Sequence, residues 1–137
     1  MKKVLLVADE AIPAHAMRPY LARMGCQTVE VLPDANAALV AVQLYGPNLV
    51  IMNIDLPGPL DGGELMGLIR QFSRIPVIFI SSGGDRHAGE RAARISHSCL
   101  MTQPLHQQLL MDHLSRFLNA GVREDHPEAH HHVPAMA

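Results

Sequence analysis

Short runs of consecutive apolar residues punctuate the chain: Val4-Leu5-Leu6-Val7, Leu49-Val50-Ile51-Met52, Val77-Ile78-Phe79-Ile80 and a shorter one within Cys99 to Thr102. Runs this short, closed by turn residues, predict strands buried on both faces, as in a parallel sheet, and Gln27 to Leu32 alternates enough to add another. Between them apolar positions recur at helical spacing. Ile12, Ala16, Met17, Tyr20, Leu21 and Met24 predict a helix ending at Gly25, with Pro19 expected to kink it. Asp34 is placed to cap a second helix that buries Ala38, Ala41, Val42 and Tyr45 before Gly46-Pro47. Asp61 and Glu64 have capping-box spacing ahead of a stripe of Leu65, Leu68, Ile69 and Phe72. Asp85 to Ile95 is the weakest helix, with Gly89 in its middle and only Ala88, Ala92, Ala93 and Ile95 to bury. Pro104 suits the first turn of a last helix carrying Leu105, Leu109, Leu110, Leu114, Phe117 and Leu118 up to Gly121.

Five strands alternating with five helices imply an α/β fold: a doubly wound parallel sheet, its right-handed crossovers placing helices on both faces. At 137 residues the chain is long enough for one self-sufficient core. Residues 1–121 form that domain. Residues 122–137 are polar, with little to bury, and read as a flexible tail.

Charge narrows the partners. The net charge is −2 and the 11 Lys and Arg residues are scattered, which argues against a nucleic-acid surface. The first apolar run is too short for a signal peptide, and no stretch of about 18 apolar residues is available to span a bilayer, so a cytoplasmic protein is expected. Cys26 and Cys99 lack a CxxC spacing and are expected to be packed thiols.

In an open parallel sheet, ligands gather beyond the carboxyl ends of the strands, which singles out Asn53 and Asp55, and Asp9 and Glu10 after the first strand. Ser82-Gly83-Gly84 lacks the GxxxxGK[ST] pattern of a phosphate cradle and reads as a turn. His126, His130, His131 and His132 lie in the loose tail, where metal binding would be adventitious, and no metal site is assigned.

Several stretches, in order, resemble the receiver domain of two-component response regulators. They are Lys3-Val4-Leu5-Leu6-Val7-Ala8-Asp9-Glu10, Pro47-Asn48-Leu49-Val50-Ile51-Met52-Asn53-Ile54-Asp55-Leu56-Pro57-Gly58, Asp61-Gly62, Pro76-Val77-Ile78-Phe79-Ile80-Ser81 and Gln103-Pro104. The likeness covers residues 2 to about 120 and implies a CheY-like sheet with strand order 2-1-3-4-5. In that family an aspartate ending the third strand accepts a phosphoryl group from a histidine kinase, an acidic pair after the first strand holds Mg²⁺, a Ser or Thr ends the fourth strand, and a Lys before proline ends the fifth. Matched position by position, Asn53 stands at the acceptor, Ala8 and Asp9 at the acidic pair, Ser81 at the hydroxyl, Gln103 at the lysine and Leu100 at the aromatic switch position.

These replacements have chemical consequences. An acyl phosphate needs an ionised carboxylate as nucleophile, which the neutral amide of Asn53 does not supply. With Ala8, Asn53 and Gln103 neutral, Asp9 leaves too little charge for Mg²⁺, so its binding is expected to be weak or absent. Asp9, Glu10 and Asp55 then form only a remnant acidic pocket, with Asp55 expected to be a solvated loop carboxylate. Gln103 lacks the point charge that would meet a phosphoryl oxygen. Arg86, Glu90, Arg91 and Arg94 read as a solvated face, or as the partner surface that this helix forms in receivers.

The expectation is a degenerate, non-enzymatic receiver acting as a phosphorylation-independent binding module. Its partner would be a histidine kinase or an output protein, or a second copy docked through the fourth helix, fifth strand and fifth helix. The alternative is residual phosphotransfer through a non-standard acceptor or a deamidated Asn53.

Overall fold

A computed structural model describes residues 2–7, 14–83 and 86–120; Ala8, Asp9, Glu10 and the tail with its histidines lie outside them. The chain alternates β1 (Lys2–Val7), α1 (Ala14–Arg23), β2 (Cys26–Leu32), α2 (Ala35–Tyr45), β3 (Leu49–Asn53), α3 (Gly62–Ile69), β4 (Val77–Ser81), α4 (Ala88–Ala93), β5 (Ser98–Thr102) and α5 (Gln107–Ala120). The strands form one sheet in the order β2-β1-β3-β4-β5, every pairing parallel. This is the CheY-like order that the resemblance implies.

The consecutive apolar runs are explained by the two-residue period of a strand. Leu5, Val7, Val50, Met52, Val77 and Phe79 face one cluster with Leu65, Met66 and Ile69 of α3. Their neighbours Val4, Leu6, Leu49, Ile51, Ile78 and Ile80 face the other, with Met17 and Leu21 of α1 and Leu114 and Phe117 of α5. β2 breaks the regular ladder, since its register against β1 slips between Val4 and Leu5.

Helix boundaries follow local chemistry. Asp34 caps α2 by accepting from the Ala37 amide at 2.9 Å, and Gly46, at φ 55°, closes it in the left-handed region. Tyr45, expected in the core, is exposed instead, because it is the residue just before that cap. The capping box at Asp61 and Glu64 is fully formed. Leu68 and Phe72 are also exposed: α3 ends at Ile69, the chain turns from residue 70, and Met66 takes the buried place. α4 is shorter than its pattern, running only over Ala88–Ala93, with no side-chain cap from His87, and Ala93 is exposed. Its last carbonyls are covered from β5, where the buried Ser98 hydroxyl donates to Ala92 and Ile95.

Pro104 does not open the last helix. The Gln103–Pro104 peptide is cis, and α5 starts only at Gln107, after His106 accepts the Leu109 amide on its side chain and the Leu110 amide on its carbonyl. Leu109 is exposed, and buried His113 stands among Leu110, Leu114, Phe117 and Leu118 in its place. Cys26 and Cys99 are both free and buried.

Candidate functional site at the carboxyl edge of the sheet

Parallel strands bring their carboxyl ends to one edge. Asn53 closes β3 opposite Ile80, Ser81 closes β4 opposite Thr102, and Gln103 follows directly. Asn53 is buried, 4% exposed, and its side-chain oxygen accepts the Asp55 amide at 3.1 Å, which folds the loop back on the strand end. The backbone beside it is pinned twice: the Ile54 amide donates to the Ile80 carbonyl at 2.9 Å, and the Gly62 amide donates to the Ile54 carbonyl at 2.8 Å. Gly62 is required by that approach, since a Cβ there would stand 2.7 Å from the Asn53 carbonyl oxygen.

Ser81 is buried, and its hydroxyl accepts the Gly83 amide at 3.2 Å. Its carbonyl accepts the Gln103 amide at 2.8 Å, so the ends of β4 and β5 are joined through backbone. Leu100 lies two residues from the end of β5, beside Phe79, and packs half-buried on the cluster that holds Ala88, Ala92 and Ile95. Asn53, Ser81 and Gln103 thus share one edge. Among the described residues no group of three His, Cys, Asp or Glu side chains is placed to hold a metal ion.

The charges around this edge are arranged differently from the sequence expectation. Asp55 is not a lone solvated carboxylate, and Arg91 is not simply part of a solvated face. The Arg91 guanidinium forks between two acidic residues, Nη2 meeting Asp55 Oδ1 at 2.6 Å and Nη1 meeting Asp61 Oδ2 at 2.5 Å. Arg86, Glu90 and Arg94 are exposed, with Glu90 3.8 Å from His87. The capping-box spacing located Asp61, but the fork joins residues 30 and 36 positions apart, a separation that no helical or strand period marks.

A second polar cluster sits under α5, on the opposite face of the sheet. The Arg116 guanidinium donates to His113 Nδ1 at 2.6 Å and lies 4.9 Å from the Phe117 ring centroid. Burial lowers the His113 pKa, assisted by Arg116 and opposed by Asp112. Burial pushes the Cys99 thiol up to about 12 against the attraction of the same guanidinium, so this thiol is no nucleophile at neutral pH. His113 lies three residues after Leu110 and four before Phe117, so the spacing of α5 places it on the buried stripe, a signal the sequence reading passed over.

Residues 4–115 match the family model described as the response regulator receiver domain, and the chain belongs to that family. It is 31% identical over 131 residues to the response regulator protein FleR of Pseudomonas aeruginosa, covering 93% of this chain and 27% of that protein. It is 32% identical over 84 residues to the two-component response regulator PhoP of the same organism, covering 61% of this chain and 36% of that protein. Among solved structures it is similar to the N-terminal domain of a response regulator/sensory box/GGDEF protein from Carboxydothermus hydrogenoformans, with TM-score 0.77 and 25% identity over 91% of this chain and all of that one. The signal receiver domain of a modulated diguanylate cyclase from Desulfovibrio desulfuricans shares the fold, with TM-score 0.77 and 24% identity over 90% of this chain and 98% of that one. The chain therefore spans about a quarter to a third of these two curated relatives.

Proposed function

We propose that this chain is a degenerate receiver: a response regulator module of two-component signalling that has kept the scaffold and lost the phosphoryl-transfer chemistry. One observation carries the reading. The residue that closes β3, at the position matched to the acceptor aspartate, is the buried amide Asn53, already engaged with the Asp55 backbone. An amide has no ionised oxygen with which to form the mixed anhydride, and Gln103 offers no cation to a phosphoryl group. Mg²⁺ binds weakly or not at all on this reading, because Asp9 is the one member left of the matched acidic pair.

The module then works through protein contacts set by concentration or by a partner. The partner is a histidine kinase or output protein, or a second copy on the α4-β5-α5 face, where Arg86, Glu90 and Arg94 are exposed. On this reading it acts in the cytoplasm, in line with two unpaired thiols. Incubation with acetyl phosphate and MgCl₂ followed by intact-mass measurement tests it. An unchanged mass is expected, and a stable phosphoryl adduct overturns the reading. Peptide mapping of fresh protein is the companion measurement: aspartate at position 53 would favour residual phosphotransfer after deamidation, and asparagine throughout supports the degenerate receiver.

A further inference from the structure

We infer that Arg91 is a latch that sets the position of α4, independently of whether Asn53 takes a phosphoryl group. α4 is the element least able to hold itself. It has six residues with Gly89 in the second position, and the N-cap residue His87 makes no capping hydrogen bond with its side chain. A helix this short is not stable on propensity alone. Its buried side chains are the alanines Ala88 and Ala92, which contribute little burial each.

The Ser98 hydroxyl of β5 holds its carboxyl end, and the Arg91 fork ties it to the β3–α3 side. The side chain is 24% exposed, and its two arms reach different segments: Asp61 at the N-cap of α3 and Asp55 in the loop directly after β3. The two carboxylates lie on either side of the Pro57-Gly58-Pro59 turn, so one cation pins both ends of that loop and α4 together. A planar guanidinium serves two carboxylates at once, which an ammonium does not do with the same geometry. Asp55 also binds back through its amide to the Asn53 side chain, so the strand end, the loop and α4 form one chain of contacts. Release of Arg91 frees α4 and the β3–α3 loop as a unit.

Amide hydrogen exchange on the full chain tests this, comparing Arg91→Ala, Asp55→Asn and the double variant, with thermal unfolding measured beside it. Asp55→Asn alters only a half-exposed carboxylate, so it keeps the test usable should Arg91→Ala fold poorly. Each single variant is expected to raise exchange by roughly threefold to tenfold in residues 55–61 and 88–95, leaving β1, β3 and α5 unchanged. The double variant is expected to match Arg91→Ala alone, because both changes remove the same contact. Unchanged exchange, additive effects, or an increase spread evenly over all elements would overturn the latch. A failed phosphodonor experiment would leave these outcomes untouched.

Discussion

At Gly62 the demand is steric. Its amide must reach the Ile54 carbonyl while its α-carbon passes the Asn53 carbonyl, and a methyl group would be 2.7 Å from that oxygen with further backbone at 3.0 and 3.1 Å. Backbone on every side cannot move away as a flexible side chain would. Gly62→Ala is therefore expected to destabilise the fold by about 1–3 kcal/mol, read from the midpoint of urea unfolding. His113 poses an electrostatic demand instead. Its Nδ1 accepts from Arg116, which requires the neutral ring, and burial holds its folded pKa below the ordinary 6.5. The unfolded chain then takes up the proton first, so the contribution is fully present above about pH 6.5 and falls away as the pH drops through the lower folded value. Urea midpoints measured from pH 7.5 down to 5.5 are expected to decline, and His113→Gln to flatten that slope.

Two N-caps of the same type sit in unlike surroundings. Asp34 holds only the start of α2, whereas Asp61 both completes a capping box and receives one arm of Arg91. Asp34→Ala is expected to cost about 1 kcal/mol, and Asp61→Ala about 1–3 kcal/mol, since it also leaves a half-buried guanidinium short of a partner. Thermal unfolding of the two variants side by side gives the order. The caps were legible from residue spacing because a capping box is local, spanning four residues. So were the strands, because Leu49 to Met52 and Val77 to Ile80 leave no polar face. The Arg91 fork was not legible, because it depends on which elements the fold brings together; the pairing of His113 with Arg116, three residues apart on α5, is local and could have been read from spacing. The exposure of Tyr45, Leu68, Phe72 and Leu109 was missed for a related reason: periodicity finds a stripe but does not say where the helix stops. Asn53 was found from its place at the end of a predicted parallel strand, Ser81 and Gln103 by matching to a family, and their common location follows from parallel strands ending together.

For the molecule as a whole, the central question is whether the carboxyl edge of the sheet still binds a cation. Any ligand that binds only the folded chain raises its stability by RT ln(1 + [L]/Kd), wherever in the fold the contacts fall. The edge described here holds Asn53 and Gln103 as neutral groups, and the nearest carboxylates of the loop, Asp55 and Asp61, are taken by Arg91. A divalent cation would have to pull those carboxylates from a guanidinium or rely on Asp9 and Glu10. Either route weakens a hard ion that prefers several carboxylate oxygens at once. The unfolding midpoint is accordingly expected to stay within about 1 °C between EDTA and millimolar MgCl₂. Asn53→Asp is the informative contrast: it adds one carboxylate at the end of β3 and keeps a side-chain oxygen there to accept the Asp55 amide. A Mg²⁺-dependent rise in the variant alone would assign the loss of metal to residue 53, whereas a rise already present in the natural sequence would mean that Asp9 and Glu10 suffice.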